Sequence, residues 1–358
     1  MRIIMHVDFD YFYAQCEELR NPSIKDKPVV VCVYSARGND SGAVSTANYK
    51  AREYGVKSGI SIKSAKDRLK DVDAVFLSVD HDYYDMISEK AMNIIKRYAD
   101  KFEHVGDDEA YLDISSIKDY DKARDLALKI KDEVRSKVGL SISIGIAPNK
   151  LLAKIASDYQ KPNGLTIIKP EEVDEFIKDM DISKITGIGK KTRARLNELG
   201  IKTIKDLREL SIYTLTKEFG KKTGIYLYNA SRGIDDEEVK EDESITQFSR
   251  IVTLKRDTNN IEDMLDDLKS LCNEVHKTAI ENNYSFRSIG IMLVLNDMSM
   301  RSKSRTLRAL TNNRDELYKV AKRLLMEVMK DKPIVRRLGV KVFDLVSSKG
   351  QDTLLKFM

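Results

Sequence analysis

The apolar run from Ile3 to Val7 ends directly in Asp8-Phe9-Asp10, and much further along Asp107-Asp108-Glu109 stand immediately before the alternating segment Ala110–Ile114. Both apolar segments have the make-up of buried strands. Acids at such strand ends must lie at the rim of a sheet, because an unpaired carboxylate cannot be carried into a core. If the two strands are neighbours, three or more carboxylates meet there and coexist only with cations between them. Donors made only of oxygen favour Mg²⁺ or Mn²⁺ over zinc. A pair of such ions stabilises the attacking and leaving oxygens of an in-line displacement at phosphorus. Taken singly, either acid cluster serves equally well as a helix cap or a solvated loop.

The surrounding pattern predicts an α+β chain of several domains. YFYAQCEEL continues the first acid cluster with the spacing of a helix, KPVVVCVY is a β-branched strand, and SARGNDSGAVS has the composition of a loop. TANYKAREYGV and SIKSAKDRL read as helices, residues 81 to 101 as a long helix, DKARDLALKIKDEVRSKV as an amphipathic helix and LSISIGIAP as a strand. From about Glu171 to Arg232 the pattern is entirely helical. Asp235 to Glu243 then holds seven acids against one lysine, which predicts a solvated linker. Beyond it the order strand, helix, strand, strand, helix, strand predicts a compact βαββαβ unit of ferredoxin-like type.

The length of 358 residues exceeds what one core usually serves. A hydrophobic share of 42% is enough for packed cores, and a net charge of +5 permits a nucleic-acid partner without requiring one. Cys16, Cys32 and Cys272 are odd in number and far apart, which argues against a disulfide framework and suits a reducing cytoplasm. No window approaches the ~20 apolar residues of a membrane span, and the N-terminus lacks the form of a signal peptide.

Four segments occur in a fixed order: VDFDYFYAQCE, SGAVSTANYKARE followed after Tyr54 by GVKSG, DDEAYLDIS, and GIAPNKLLAKIASDYQKPNG. In these the chain resembles the Y-family translesion DNA polymerases, of the archaeal DNA polymerase IV or DinB type, and the resemblance runs from Met1 to the end. It implies a right-handed polymerase, with a catalytic palm at 1–10 and 77–168, fingers at 11–76 and a thumb at 169–232. An acidic linker at 233–246, a little finger at 247–343 and a tail at 344–358 complete the expected division.

The same resemblance implies metal ligation by Asp8, Asp108, Glu109 and the main-chain carbonyl of Phe9, with two Mg²⁺ per site and Mn²⁺ able to substitute. Asp10 becomes structural. Gly106-Asp107 departs from the family, which usually writes Ser-Ile there, and strand alternation points Asp107 away from Asp108. Tyr13 matches the steric gate, an aromatic ring that leaves no room for a 2′-hydroxyl. Tyr49, Arg52 and Lys161, assisted by Thr46, match the residues that hold the incoming triphosphate, where cations neutralise charge as pyrophosphate departs. Gly42, Ala43, Ser45 and Gly59 match the small roof over the nascent base pair, whose weak steric checking admits damaged bases.

ITGIGKKTRARLNELGI has the form of a helix-hairpin-helix, in which Gly187, Gly189 and Lys190 offer backbone N–H groups and charge to a DNA phosphate. Arg301, Lys303 and Arg305 fall two apart on a predicted strand, and Arg336, Arg337 and Lys341 lie on the last one, so a cationic sheet face toward DNA is expected. Gln351, Leu354, Phe357 and Met358 fit the pattern that docks on a sliding clamp, with Met358 in place of the usual second aromatic. The partners expected are primer-template DNA, dNTP and the clamp, for a monomeric cytoplasmic enzyme without proofreading. The runner-up is a non-catalytic DNA-binding or clamp-associated repair protein, against which the intact carboxylates argue. A helix-hairpin-helix nuclease would not need the Tyr13 and KPNG features together.

Overall fold

Strand β1 (Ile4–Phe9) is buried at every position. Met5, Val7 and Phe9 enter one core while Ile4 enters another, so the strand lies in the middle of a sheet covered on both faces. The computed structural model describes residues 1–38, 40–241 and 245–347. The clamp-ligand positions Gln351, Leu354, Phe357 and Met358 lie outside them.

In chain order, β1 is followed by α1 (Phe12–Arg20), β2 (Val29–Tyr34), β3 (Gly42–Ala47), α2 (Tyr49–Glu53), α3 (Ile62–Arg68), β4 (Val75–Ser78) and α4 (His81–Lys96). Next come β5 (Lys101–Gly106), β6 (Glu109–Asp113), α5 (Tyr120–Val138), β7 (Ile142–Ala147), α6 (Lys150–Tyr159) and β8 (Leu165–Ile167). Short helices α7 (Val173–Ile177), α8 (Lys190–Glu198), α9 (Ile204–Arg208), α10 (Ile212–Phe219) and α11 (Lys221–Ala230) bear out the all-helical reading of that stretch. Among the described residues the first part forms a sheet ordered β5-β6-β1-β7-β8 and a smaller one ordered β3-β2-β4.

β3 and β5 were not expected. Gly42–Ala47 looks like a loop by composition, yet Val44 and Ala47 are buried and Val44 bonds to Ile60 across the turn. β5 continues a helical pattern in sequence, but pairing with β6 in antiparallel register wins over it.

The last part has β9 (Gln247–Thr258), α12 (Leu265–Glu281), β10 (Tyr284–Leu295), β11 (Met300–Thr311), α13 (Arg314–Val328) and β12 (Val335–Ser347), the predicted βαββαβ order. Its sheet runs β11-β10-β12-β9. In a ferredoxin-like sheet the third strand lies between the first two, whereas here the fourth does. The reason is visible in β11, whose charged residues suit an edge, and in β12, whose Leu338, Val340 and Val342 are buried and suit the interior.

By packing, the chain divides into one unit of Met1–Val33 with Ala43–Glu243 and a second of Tyr34–Gly42 with Ser244–Met358. That Tyr34–Gly42 falls with the second unit was not foreseen. Arg37 explains it, with its guanidinium 2.6 Å from the Asp257 carboxylate and 2.6 Å from the Leu254 carbonyl.

The acidic segment is not a solvated linker over Asp235–Lys240. Val239 is 2% exposed and joins the core that holds α6. Asp235 accepts from the Leu151 N–H at the start of α6, Arg2 donates to the carbonyls of Asp235 and Glu237, and the Lys240 N–H donates to Glu103. The segment's charge is met by cations far away in sequence.

Candidate active site

Even-numbered residues of β1 face α6. Asp8 pairs with Glu109 across β1–β6, and His6 pairs with Tyr111, so the directly opposed side chains form a row on that face. The Phe9 N–H donates to the Asp108 carbonyl at 2.9 Å. The three expected metal-ligand acids and Phe9 are thus brought to one sheet edge.

Between the carboxylates lie two ammonium groups of α6 and the loop after it. Lys154 Nζ is 2.8 Å from Asp8 Oδ2 and 3.0 Å from Glu109 Oε1, and Lys161 Nζ is 2.5 Å from Asp8 Oδ1 and 2.9 Å from Asp158. Burial pushes the Asp108 carboxyl up to about 6, reinforced by the negative charges of Asp8 and Glu109. Glu109 is held down at about 2, first by the His6 imidazole and then by Lys154 against the effect of burial. His6 is itself fully buried, with Nε2 3.3 Å from Glu109 Oε2 and Nδ1 2.8 Å from Ser157 Oγ. Burial lowers its basicity, and among the described residues its Nε2 approaches Glu109 without hydrogen-bond geometry.

Among the described residues no three acidic, histidine or cysteine side chains are already drawn into a metal cage. The donor set nevertheless fits a divalent cation. It is all oxygen, and its backbone anchors are adjacent, with Asp8 opposite Glu109 and the Phe9 N–H on the Asp108 carbonyl.

Asp10 bears out its structural assignment. Its carboxylate accepts from Ser141 and Ser143 hydroxyls at 2.7 Å each and from the Asn163 N–H at 2.8 Å. Those bonds anchor the loop that carries Lys161.

A cleft of about 300 Å³ opens beside the acids. Ser45, Thr46, Tyr49, Arg52 and Lys161 line it together with Asp8, Phe9, Asp108 and Glu109, as do Lys154, Tyr11 and Ser58, which the sequence did not single out. The Arg52 guanidinium sits 4.7 Å from the Tyr49 ring centre, and its Nε donates to the Ala47 carbonyl. The Tyr49 hydroxyl is buried and, among the described residues, without a hydrogen-bond partner, a donor open to an incoming oxygen. Asn48 positions this helix, since its side chain caps α2 at Ala51, accepts from Val29 and donates to Glu18 and the Lys27 carbonyl. Gly59 needs its left-handed φ of 85° in the loop that bonds to β3.

Tyr13 does not line the cleft. Its ring stacks on Tyr84 at 4.4 Å, and its hydroxyl donates to Asp107 Oδ2 at 2.5 Å. Asp107 therefore points toward Tyr13 and away from the acid cluster around Asp8, although it lies in the turn between β5 and β6 and not in a strand where alternation would act. Tyr11, just before α1, carries left-handed backbone at φ 39°, a strained turn between the acids and Tyr13.

Gly187 has φ 86°, the left-handed turn that glycine permits, and Gly189 precedes α8 with no side-chain cap, leaving Lys190 exposed at the helix start.

The cationic face is corrected by register. Arg301, Lys303 and Arg305 pair with Leu293, Ile291 and Ile289, which are fully buried beneath the helices. The three cations thus lie on the helix side, where Arg301 meets Asp331 while Lys303 and Arg305 share Glu327. The open face instead carries Arg337, paired with Val294 and Thr253, and Lys341, paired with Gly290 and Ser249, with Ile251, Met292, Ser302, Ser304 and Gly339 beside them. Among the described residues Arg337 Nε has no hydrogen-bond partner, whereas Arg336 lies at a register shift 4.0 Å from Asp257.

Comparison with known proteins shows which family the chain belongs to. Residues 7–158 match the impB/mucB/samB family model, residues 245–354 its C-terminal domain, and residues 183–235 the model described as DNA polymerase-iota, thumb domain. The chain is 52% identical to DNA polymerase IV of Nitrosopumilus maritimus and 40% identical to that of Methanosarcina acetivorans, over 99% of both chains in each case. Among solved structures, a Y-family polymerase chimera of Dbh and Dpo4 matches with a TM-score of 0.90 at 38% identity, covering 97% of this chain and all of that one. An insertion ternary complex of Dbh DNA polymerase matches at 0.69, with the same identity and coverage.

Proposed function

Because the chain belongs to the Y-family DNA polymerases, we infer that it is a template-directed, low-fidelity DNA polymerase for translesion synthesis, and we assign its steps to residues as follows. It adds dNTP to a primer 3′-OH with release of pyrophosphate. Y-family enzymes generally depend on a divalent metal, and Asp8, Asp108, Glu109 and the Phe9 carbonyl would hold two Mg²⁺ here, with Mn²⁺ able to substitute. When bound, the metal supplies the charge that stabilises the attacking and leaving oxygens. Arg52, Lys161 and the hydroxyls of Thr46 and Tyr49 hold the triphosphate in the cleft. Tyr13 screens the sugar. The Gly187–Lys190 turn and the open face with Arg337 and Lys341 grip DNA through its backbone, and the tail from Gln351 to Met358 tethers a monomeric, cytoplasmic enzyme to the sliding clamp. Among the described residues no helix is long and apolar enough to cross a membrane.

The observation that carries this reading is the register that sets Asp8 opposite Glu109 with Phe9 bonded to Asp108. It is tested by primer extension past an abasic site with wild type and Asp108→Ala, measuring DNA affinity for both. A loss of at least ~10³-fold in rate with DNA affinity within about threefold is expected. Equal extension by the two proteins would remove the metal assignment, whereas DNA binding without extension by either would favour the non-catalytic alternative.

A further inference from the structure

The Tyr13 ring is held at three points. Its face stacks on Tyr84 at 4.4 Å and 20°, and Tyr84 is fully buried with its own hydroxyl on Glu17 at 2.7 Å. Its edge meets His81 at 5.9 Å. Its tip donates to Asp107 Oδ2 at 2.5 Å. The three contacts differ in kind. Stacked rings slide across one another at little cost, because the attraction is broad and weakly directional. A hydrogen bond to a carboxylate is short and directional, so the tip contact alone fixes how far the ring can slide.

Asp107 is well placed to act as a fixed post. It sits in the turn between β5 and β6, where the ladder shifts register between His104 and Gly106, and the Ser88 hydroxyl of α4 donates to its main-chain carbonyl. Ser88 is buried. The residue after it is Asp108, so the post that holds the ring is continuous with the backbone that places the acid cluster.

We propose that Asp107 is a positioning residue that sets sugar selectivity, holding the Tyr13 ring by its hydroxyl so that the ring cannot yield to a 2′-hydroxyl. The proposal rests on the reading of Tyr13 as the sugar screen. Asp107 touches neither metal ligand nor nucleotide in this role and acts only through Tyr13. A ribonucleotide that pushes on the ring must break the bond to Asp107, whereas a deoxynucleotide leaves it intact.

The test is the ratio of kcat/KM for dNTP to that for the matching rNTP, which cancels any loss of active enzyme. Asp107→Ala lowers the ratio about tenfold, the weight of one hydrogen bond to a charged group at a half-exposed site. Asp107→Asn, whose amide oxygen still accepts, restores most of it. Tyr13→Phe, which keeps the ring and loses the tip, behaves like Asp107→Ala, and combining the two adds nothing further. Tyr13→Ala is the control for the underlying reading and collapses the ratio. If Tyr13→Ala collapses it while Asp107→Ala and Tyr13→Phe leave it at the wild-type value, the proposal is overturned and the sugar screen stands. If Asp107→Ala lowers the ratio equally in the Tyr13→Phe background, the effect does not pass through the hydroxyl and the proposal also fails. A wild-type ratio in Tyr13→Ala overturns both.

Discussion

Asp8 stands near the end of β1 and Asp10 in the turn just past it, two positions apart, yet their surroundings give them different work. Asp8 stands between two lysines at the cleft, while Asp10 is fully buried and saturated by Ser141, Ser143 and the Asn163 N–H. Removing the Asp10 carboxylate leaves the buried Ser143 hydroxyl without its acceptor and frees the loop of Lys161. Asp10→Ala is expected to lose ~2–4 kcal/mol in denaturant unfolding and to raise KM for dNTP more than it weakens DNA binding. An unchanged KM would separate the loop from nucleotide binding. The family motif implied this division in the sequence, because it assigns the first acid of the pair to the metal and leaves the second structural. Lys154 was not legible. A single lysine in an amphipathic helix looks like a solvated one, and only the packing of α6 over β1 turns it toward Asp8 and Glu109. His6 escaped for the same reason, since nothing in an apolar run marks one member as the neighbour of a carboxylate on another strand.

Alternation correctly put Arg301, Lys303 and Arg305 on one face of β11, but a strand pattern does not say which face the helices cover. Register decides it, and the cations that remain on the open side are Arg337 and Lys341. DNA affinity titrated against salt separates the two sets. Arg337→Ala and Lys341→Ala should each reduce the slope of log affinity against log salt by about 1, whereas Arg301→Ala and Lys303→Ala should change it by much less. The reverse ranking would put DNA on the helix side of this sheet. The turn before α8 gives a second test of DNA binding by an element. A Cβ at Gly187 meets only the Tyr226 ring at 3.6 Å, so Gly187→Ala is not excluded by space but must adopt the left-handed backbone at φ 86°. It should cost ~1 kcal/mol in stability and weaken binding about equally for all DNA sequences, because backbone N–H groups contact phosphate. A sequence-dependent loss would argue for base contacts. Element order was readable along most of the chain, whereas strand order in the second unit was not, because it depends on which strand the interior will accept.

At the scale of the whole chain, the two units are packed around separate cores, and the acidic segment between them in sequence belongs to the first. Its composition predicts solvation only if its charges have no partners, and the partners are scattered from Arg2 to Lys150. The strongest link is the pair of Lys150 with Glu103, whose oxygens lie 2.7 and 2.9 Å from the ammonium while both side chains are under 10% exposed. Glu103 also accepts from the Lys240 N–H at 2.8 Å, and Lys150 approaches Glu237 at 3.5 Å and the Tyr111 ring at 4.7 Å. One buried pair therefore fastens both the strap and the start of α6, the helix that carries Lys154. Breaking a buried pair from one side strands the other charge, which costs ~3–5 kcal/mol. Glu103→Ala should accordingly lower the stability of the first unit by that amount and, in the same protein, speed amide exchange over 235–240. Lys101→Ala, which removes only the exposed contact with Glu238 at 3.5 Å, should do neither to a measurable extent. If exchange over 235–240 is already as fast in the wild type as in an unstructured peptide, the segment is a solvated linker after all, and the buried Glu103 carboxylate would then have only Lys150 to hold it.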